Sequence, residues 1–291
     1  MHRRRLGPGT SAVSAVGYGG MHLSIEGRPP EAQSLQVLQA AFDGGVTLVD
    51  TADVYCLDQH DIGHNERLIA QALAGWSGDR STVTVATKGG VVRPDGRWDS
   101  DARPEQLRAA CERSLRALEV DRLELYQLHA PDPRVPLADS VGEIARLREA
   151  GKVRWIGLSN VSVPQIREAQ RITPITTVQN RLSPFFREAL VGGVVRYCAE
   201  QEIGFLAYSP TGGGRLTKKL PGHPVLAPIA TRLGVSVHAV VLAWALAQSP
   251  TVIVIPSART VDHALDSVGA ADVVLGPDDL AAIDAAEFSR A

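Results

Sequence analysis

Cysteine is scarce in this chain: three in 291 residues, Cys56, Cys111 and Cys198. An odd number with no framework spacing excludes a disulfide scaffold and points to a reducing, cytoplasmic setting. Excess charge of either sign is missing as well. Lys and Arg total 30 against 32 Asp and Glu, a formal net charge of −2, so nothing global draws the chain to nucleic acid or an anionic membrane. Long apolar runs are lacking too. The most apolar stretch, Val237–Ala247, is too short to span a bilayer and contains His238. His2-Arg3-Arg4-Arg5 has the charge of a signal-peptide start, but no apolar segment follows it. With no internal repeat, low-complexity tract or linker, a single domain over residues 1–291 is expected.

What is present is a regular alternation. Short β-branched or aliphatic runs occur at 16–19, 47–50, 83–87, 123–129, 155–159, 177–179, 205–208 and 252–255. Amphipathic helical patterns separate them at 30–43, 65–74, 104–118, 137–150, 163–171, 188–201, 224–233 and 237–248. Two more follow the eighth strand, at 262–269 and 277–288. Ahead of the series, Arg3 to Val16 reads as a hairpin turning at Pro8-Gly9. Eight strand–helix units suit either a closed barrel, which takes about 250 residues, or an open doubly wound sheet. The open sheet announces itself with G-x-G-x-x-G after the first strand, and Tyr18-Gly19-Gly20-Met21-His22 lacks that spacing. The expected fold is therefore α/β: a (β/α)8 TIM barrel with an N-terminal β-hairpin and additional C-terminal helices.

In such a barrel the working face lies at the carboxyl ends of the strands. Asp50, Lys88 and His129 end the second, third and fourth strands. Neighbouring strands are about 4.8 Å apart, so the three side chains should converge, with Tyr55 on the loop just beyond Asp50. Taken singly, each has an ordinary explanation: a packing tyrosine, a loop-capping aspartate, a turn lysine beside Gly89-Gly90, a strand-end histidine. On three adjacent strands they form a constellation.

Over nearly its whole length the chain resembles the aldo-keto reductases. The resemblance is carried by Val49-Asp50-Thr51-Ala52-Asp53-Val54-Tyr55, Asn65-Glu66, Ala86-Thr87-Lys88 and Leu125-Tyr126-Gln127-Leu128-His129. It continues through Gly151 to Asn160, Val178-Gln179, Tyr208-Ser209-Pro210 and Ile255-Pro256. It implies an NADPH-dependent enzyme reducing an aldehyde or ketone, with Tyr55 as general acid. A chemical account agrees. Hydride addition builds charge on the carbonyl oxygen, which needs a proton donor there. A free phenol titrates near 10; an ammonium at Lys88 is expected to stabilise the phenolate and lower that value. Asp50 would hold Lys88 charged, and His129 would orient the substrate oxygen.

The cofactor contacts follow from the resemblance. It implies that Ser159, Asn160 and Gln179 bond the carboxamide and that Tyr208 stacks on the nicotinamide ring. Ser209-Pro210-Thr211-Gly212-Gly213-Gly214 offers close backbone approach to a pyrophosphate, with Gly19, Gly20 and Met21 completing the cradle. After the eighth strand, Ile255, Ser257 and Arg259 follow, and a guanidinium at Arg259 suits a 2′-phosphate. We assign His263 to the same region. Ser257 stands where many relatives have Gly, and Asp266-Ser267 replaces their Glu-Asn.

The loop Cys56–His64 is longer than usual for the family. Its Cys, Asp and His side chains lack a closed ligand spacing; we expect no metal and a role in shaping the substrate pocket. His22, Cys56, Trp98, Phe185 and Phe186, with Met21, are the pocket candidates, while Trp76, Trp155 and Trp244 read as packing. Arg93–Arg103, with three arginines against three aspartates, either favours an anionic substrate or is ordinary surface, and surface is the reading preferred. Two other functions compete: a nucleotide-binding regulatory protein like the potassium-channel β subunits, and a lyase forming a Schiff base on Lys88.

Overall fold

The computed structural model describes residues 2–291. Strands β1 (Arg3–Arg5) and β2 (Ala12–Ser14) pair antiparallel, Arg4 opposite Val13. Eight parallel strands follow: β3 (Tyr18–Gly19), β4 (Leu48–Asp50), β5 (Thr84–Gly89), and then, after a short hairpin of β6 (Val91–Val92) and β7 (Asp99–Ser100), β8 (Leu123–Leu128). The series ends with β9 (Val153–Ser159), β10 (Thr177–Arg181), β11 (Gly204–Tyr208) and β12 (Val252–Val254). The first and last strands meet through a parallel bridge, Val16 to Val254. Gly17 N donates to Val254 O at 2.8 Å and Gly19 N to Pro256 O at 2.8 Å, and the sheet closes into a barrel.

Period-two alternation of side chains divides the barrel interior into layers. Leu48, Ala86, Leu125, Leu206 and Ile253 point inward and form an apolar layer, plugged from below by Leu6 and Val13 of the hairpin. Each large aliphatic side chain buried there is worth about 2 kcal/mol. Two residues further along β4, β5 and β8 the inward positions turn polar, at Asp50, Lys88 and Gln127, and Gln179 of β10 joins them. The switch from carbon to heteroatoms happens within one pleat, so the polar layer is roofed by the mouth and floored by hydrocarbon. Gly157 on β9 makes room in this layer; a Cβ there would lie 2.3 Å from Thr177 Oγ1. Outward residues such as Tyr126, Ile156, Val178 and Phe205 pack against the helices.

Those helices are α1 (Glu31–Asp43), α2 (His64–Ala74), α3 (Pro104–Leu118), α4 (Leu137–Glu149), α5 (Val163–Gln170), α6 (Glu188–Val191) and α7 (Val194–Glu200). They continue with α8 (Leu226–Leu233), α9 (Val237–Ala247), α10 (Val261–Gly269) and α11 (Pro277–Ala285). One expectation fails here. The single helix expected over 188–201 is two, because Gly193 adopts φ +72° and Gly192-Gly193 breaks the backbone ladder. The apolar helix α9 is buried against the barrel rather than exposed on one side, and no single helix is long and apolar enough to cross a membrane. The β6–β7 hairpin, which the sequence pattern did not announce, carries Trp98 over the mouth.

Candidate active site

Asp50 is the hub of the polar layer. Its Oδ2 accepts from Lys88 Nζ at 2.6 Å and its Oδ1 from Gln179 Nε2 at 2.7 Å, with Gln127 Nε2 at 3.4 Å. Lys88 Nζ also donates to the Thr51 carbonyl at 2.8 Å and to the Tyr55 hydroxyl at 2.9 Å. All three of its N–H bonds are thereby used, and the ammonium has no exposed surface. The loop that presents Tyr55 is fixed from behind. Thr51 Oγ1 donates to Asn65 Oδ1 at 2.7 Å, and Asn65 Nδ2 donates to Gly20 O at 2.9 Å and to Ser24 Oγ at 2.8 Å. A Cβ on Gly20 would collide with Asn65 Oδ1 at 2.3 Å, so the close crossing requires glycine.

Tyr55 stands edge-on to His129, ring centroids 5.7 Å apart, and to Trp98 at 6.4 Å. The expected lowering of the phenol is not what the site shows. Burial first, then the charge of Asp50 and the neighbouring Tyr208, hold Tyr55 well above the ordinary tyrosine value. Lys88 cannot reverse this, since its charge is already matched by Asp50 and burial lowers its own pKa. Burial, and the nearby Lys88, also hold His129 well below the usual histidine range, so its imidazole is neutral. At rest the site therefore contains a firmly protonated phenol, a neutral imidazole and one compensated ion pair.

A cavity of about 690 Å³ opens over these groups. Of the residues expected at the site, it is lined by Gly19, Met21, His22, Asp50, Tyr55, Trp98, His129, Ser159, Asn160, Gln179, Tyr208, Ser209, Pro210, Gly213, Gly214, Ile255, Ser257, Arg259 and His263. Lys88 lies just beneath the floor, and Gly20 and Gly212 sit behind the lining. Asn160, with φ +60°, ties the two sides together: its Oδ1 accepts from the Tyr208 hydroxyl at 2.7 Å and its Nδ2 donates to the His129 carbonyl at 2.9 Å.

Three pocket candidates are placed elsewhere. Cys56 is buried, its thiol donating to the Val54 and Asp58 carbonyls, both at 3.2 Å. Phe185 packs on Phe288 with ring centroids 5.3 Å apart, and Phe186 lies under the guanidinium carbons of Arg181 and Arg290, at 4.5 and 4.3 Å. No residue of the Cys56–His64 loop lines the cavity, and the loop is held by Asp61, whose carboxylate accepts from Arg28 at 2.6 Å. Arg93 is also not the surface residue expected. It is fully buried, with its guanidinium carbon 4.0 Å from the Trp98 ring and Nη2 donating to Leu57 O at 2.8 Å and Glu26 at 3.1 Å. It fixes the tryptophan that overhangs the mouth.

Sequence reasoning missed Arg181 and Lys218, which add two cations to the lining. For Arg181 the signal was available: it follows Gln179 by two on β10, so it shares that residue's face. Arg181, Lys218 and Arg259 have no ion-pair partner among the described residues, and the one lining carboxylate, Asp50, is already neutralised by Lys88. A cavity so charged suits an extended anionic ligand.

Comparison with known proteins agrees with this geometry. Residues 15–287 match the Aldo/keto reductase family. An uncharacterised oxidoreductase of Schizosaccharomyces pombe is 32% identical over 281 residues, covering 95% of this chain and 87% of that one. Among solved structures, the glycerol dehydrogenase AKR11B4 from Gluconobacter oxydans is 28% identical with a TM-score of 0.84, covering 97% of this chain and 94% of its own. An aldo-keto reductase from Klebsiella pneumoniae, solved with NADPH, is 27% identical with a TM-score of 0.82, covering 98% and 95%. Barrel, closing bridge and polar layer together with these matches make the chain an oxidoreductase fold of one lineage: it belongs to the aldo/keto reductase family.

Proposed function

We propose that the protein binds NADP(H) and reduces an aldehyde or ketone to an alcohol, with Tyr55 as the general acid. The observation that carries the reading is the buried chain of contacts Asp50–Lys88–Tyr55 at 2.6 and 2.9 Å under a cavity large enough for a dinucleotide. The residues present fit that cofactor. Tyr208 offers a ring at the cavity wall; Gly213 and Gly214 would clear even an added Cβ, by 3.8 Å or more from their surroundings, leaving their backbone open to a pyrophosphate; Arg259, with no ion-pair partner among the described residues, offers a guanidinium for a 2′-phosphate. When bound, the reduced nicotinamide supplies the hydride.

The chain's own residues then do the following. His129, neutral, hydrogen-bonds and orients the carbonyl oxygen. Tyr55 holds its proton until negative charge builds on that oxygen and then releases it. Lys88 stabilises the phenolate left behind, and Asp50 keeps Lys88 charged and in place. A phenol that burial makes a reluctant acid is kept from ionising without substrate. Trp98 and the hydrocarbon floor exclude water from the exchange. A Schiff base on Lys88 is disfavoured, because its amine spends every N–H on Asp50, Thr51 and Tyr55 and does not line the cavity.

The test is a screen of aldehydes, ketones and sugars, following NADPH absorbance, alongside fluorescence titration of NADPH binding. Turnover of at least one carbonyl with NADPH is expected. Tight NADPH binding with no turnover on any carbonyl would favour the regulatory alternative; no binding would overturn the assignment.

A further inference from the structure

Two carboxyl groups outside the catalytic quartet are wholly buried: Asp53, on the loop after β4, and Glu66, in the first turn of α2. They lie behind the catalytic strand. Thr87 and Lys88 are consecutive on β5, so their side chains leave opposite faces. Lys88 points into the barrel, and Thr87 Oγ1 points outward and donates to Glu66 Oε1 at 2.6 Å. Arg113, from α3, donates to Asp53 Oδ2 at 3.2 Å. The remaining oxygens, Asp53 Oδ1 and Glu66 Oε2, are buried without a hydrogen-bond partner among the described residues. The Ser114 hydroxyl lies against Glu66 without closing a bond of normal geometry.

Charge counting shows what is unusual. Three buried carboxyls, Asp50, Asp53 and Glu66, meet two cations, Lys88 and Arg113. Lys88 is committed to Asp50, and Arg113 to Asp53. Glu66 receives one hydroxyl. A third full negative charge in this interior is strongly unfavourable. The other buried titratable groups facing the pair bring no charge. Burial pushes the thiols of Cys111 and Cys56 up to about 12, and the phenol of Tyr126 on β8 well above its ordinary value. Arg67 of α2 turns to the Ile62 carbonyl at 3.0 Å.

We propose that Asp53 and Glu66 share one proton, and that this proton sets the charge behind Lys88, making both of them positioning residues for the Tyr55 acid. Burial lifts Glu66 to about 7 and Asp53 to about 6, with Asp53 adding to the lift on Glu66. With the proton held, the pair carries one negative charge; once it passes to solvent, two. Both carboxylates act on Lys88 through space in the direction that binds its proton more firmly. The second charge also opposes the phenolate that must form on Tyr55. Carbonyl reduction therefore slows as pH rises through about 7, by about threefold to tenfold for one charge across a strand at protein-interior screening.

The kinetic part rests on the proposed reading of Tyr55; the protonation part does not, and two experiments separate them. Infrared titration of the full chain, without substrate or cofactor, should show a protonated-carboxyl band that disappears with a midpoint near 7 and is missing in Glu66→Gln. Absence of any such band in the wild type overturns the proposal whatever the variants do. The pH profile of kcat/KM should lose its decline near 7 in Glu66→Gln, with NADPH affinity unchanged. In Asp53→Asn, where Glu66 loses its negative neighbour, the midpoint should move down by about one unit. A decline that stays in place in both variants removes the positioning role. A band that titrates in a protein that reduces no carbonyl would leave the shared proton standing and remove Tyr55 as the acid.

Discussion

Lys88 Nζ lies 2.6 Å from Asp50 Oδ2, and neither side chain is open to solvent by more than 3%. The pair is buried, so its worth is a difference between two large terms: removal of one partner strands the other charge. Lys88→Met should destabilise the protein by about 3–5 kcal/mol, read as a lower urea midpoint at unchanged slope. The double variant Asp50→Asn/Lys88→Met should recover part of that loss. Equal stability of wild type and Lys88→Met would mean that the aspartate is not charged in the fold.

Steric room in the polar layer gives a second expectation. A methyl at Gly157 would lie 2.3 Å from Thr177 Oγ1 and 2.8 Å from Gln127 Cγ, in a layer that cannot expand. Gly157→Ala should cost on the order of 2–3 kcal/mol through overpacking and lower the melting temperature. The displacement of Gln127 should also disturb the Asp50 contacts.

For the cofactor, Arg259 separates two dinucleotides. Arg259→Ala should weaken NADPH binding by roughly 10- to 100-fold, the worth of a charge-assisted hydrogen bond, and leave NADH binding nearly unchanged. Fluorescence titration with both dinucleotides checks this. Equal loss for both would place the arginine on the shared part of the molecule.

The carboxyl pair also predicts a pH dependence of stability, and its sign differs from that of an ordinary salt-bridged acid. Burial, then the charge of Asp53, lifts Glu66 from near 4.5 when unfolded to about 7 in the fold, so between those values the native state binds more protons than the unfolded one. Its stabilising contribution is complete below about 4.5 and is lost as pH rises through about 7. Relative to Glu66→Gln, the wild type should lose stability as pH rises across that window, at a slope of at most about 1.4 kcal/mol per unit. Urea melts of both proteins at several pH values measure it. A constant gap would mean that Glu66 titrates at its ordinary value.

Much of the site was legible in the sequence because barrel strands write two messages in alternate letters. Asp50 and Lys88 follow the inward apolar residues Leu48 and Ala86 by two, and Gln179 follows inward-facing Thr177 by two on β10; that period-two spacing places them in one polar layer. Arg181 obeys the same rule and could have been found by it. Phe185 and Phe186 were misplaced because the direction of a side chain beyond a strand end is set by the loop, here by a turn in which Ser183 and Phe186 pair. The direction of the Tyr55 shift was not readable either. It depends on how completely water is excluded and on Asp50 having already spent the charge of Lys88. Asp53 and Glu66 were visible as motif letters, but their meaning lay in Arg113 from a distant helix, and helix packing is not written locally.

The most direct test of the central claim is the single-turnover rate of hydride transfer from bound NADPH to a carbonyl substrate in Tyr55→Phe. The account predicts a fall of about 100-fold or more, the range for loss of a positioned acid, with NADPH affinity and fold unchanged. A Tyr55→Phe protein that transfers hydride at the wild-type rate would contradict it.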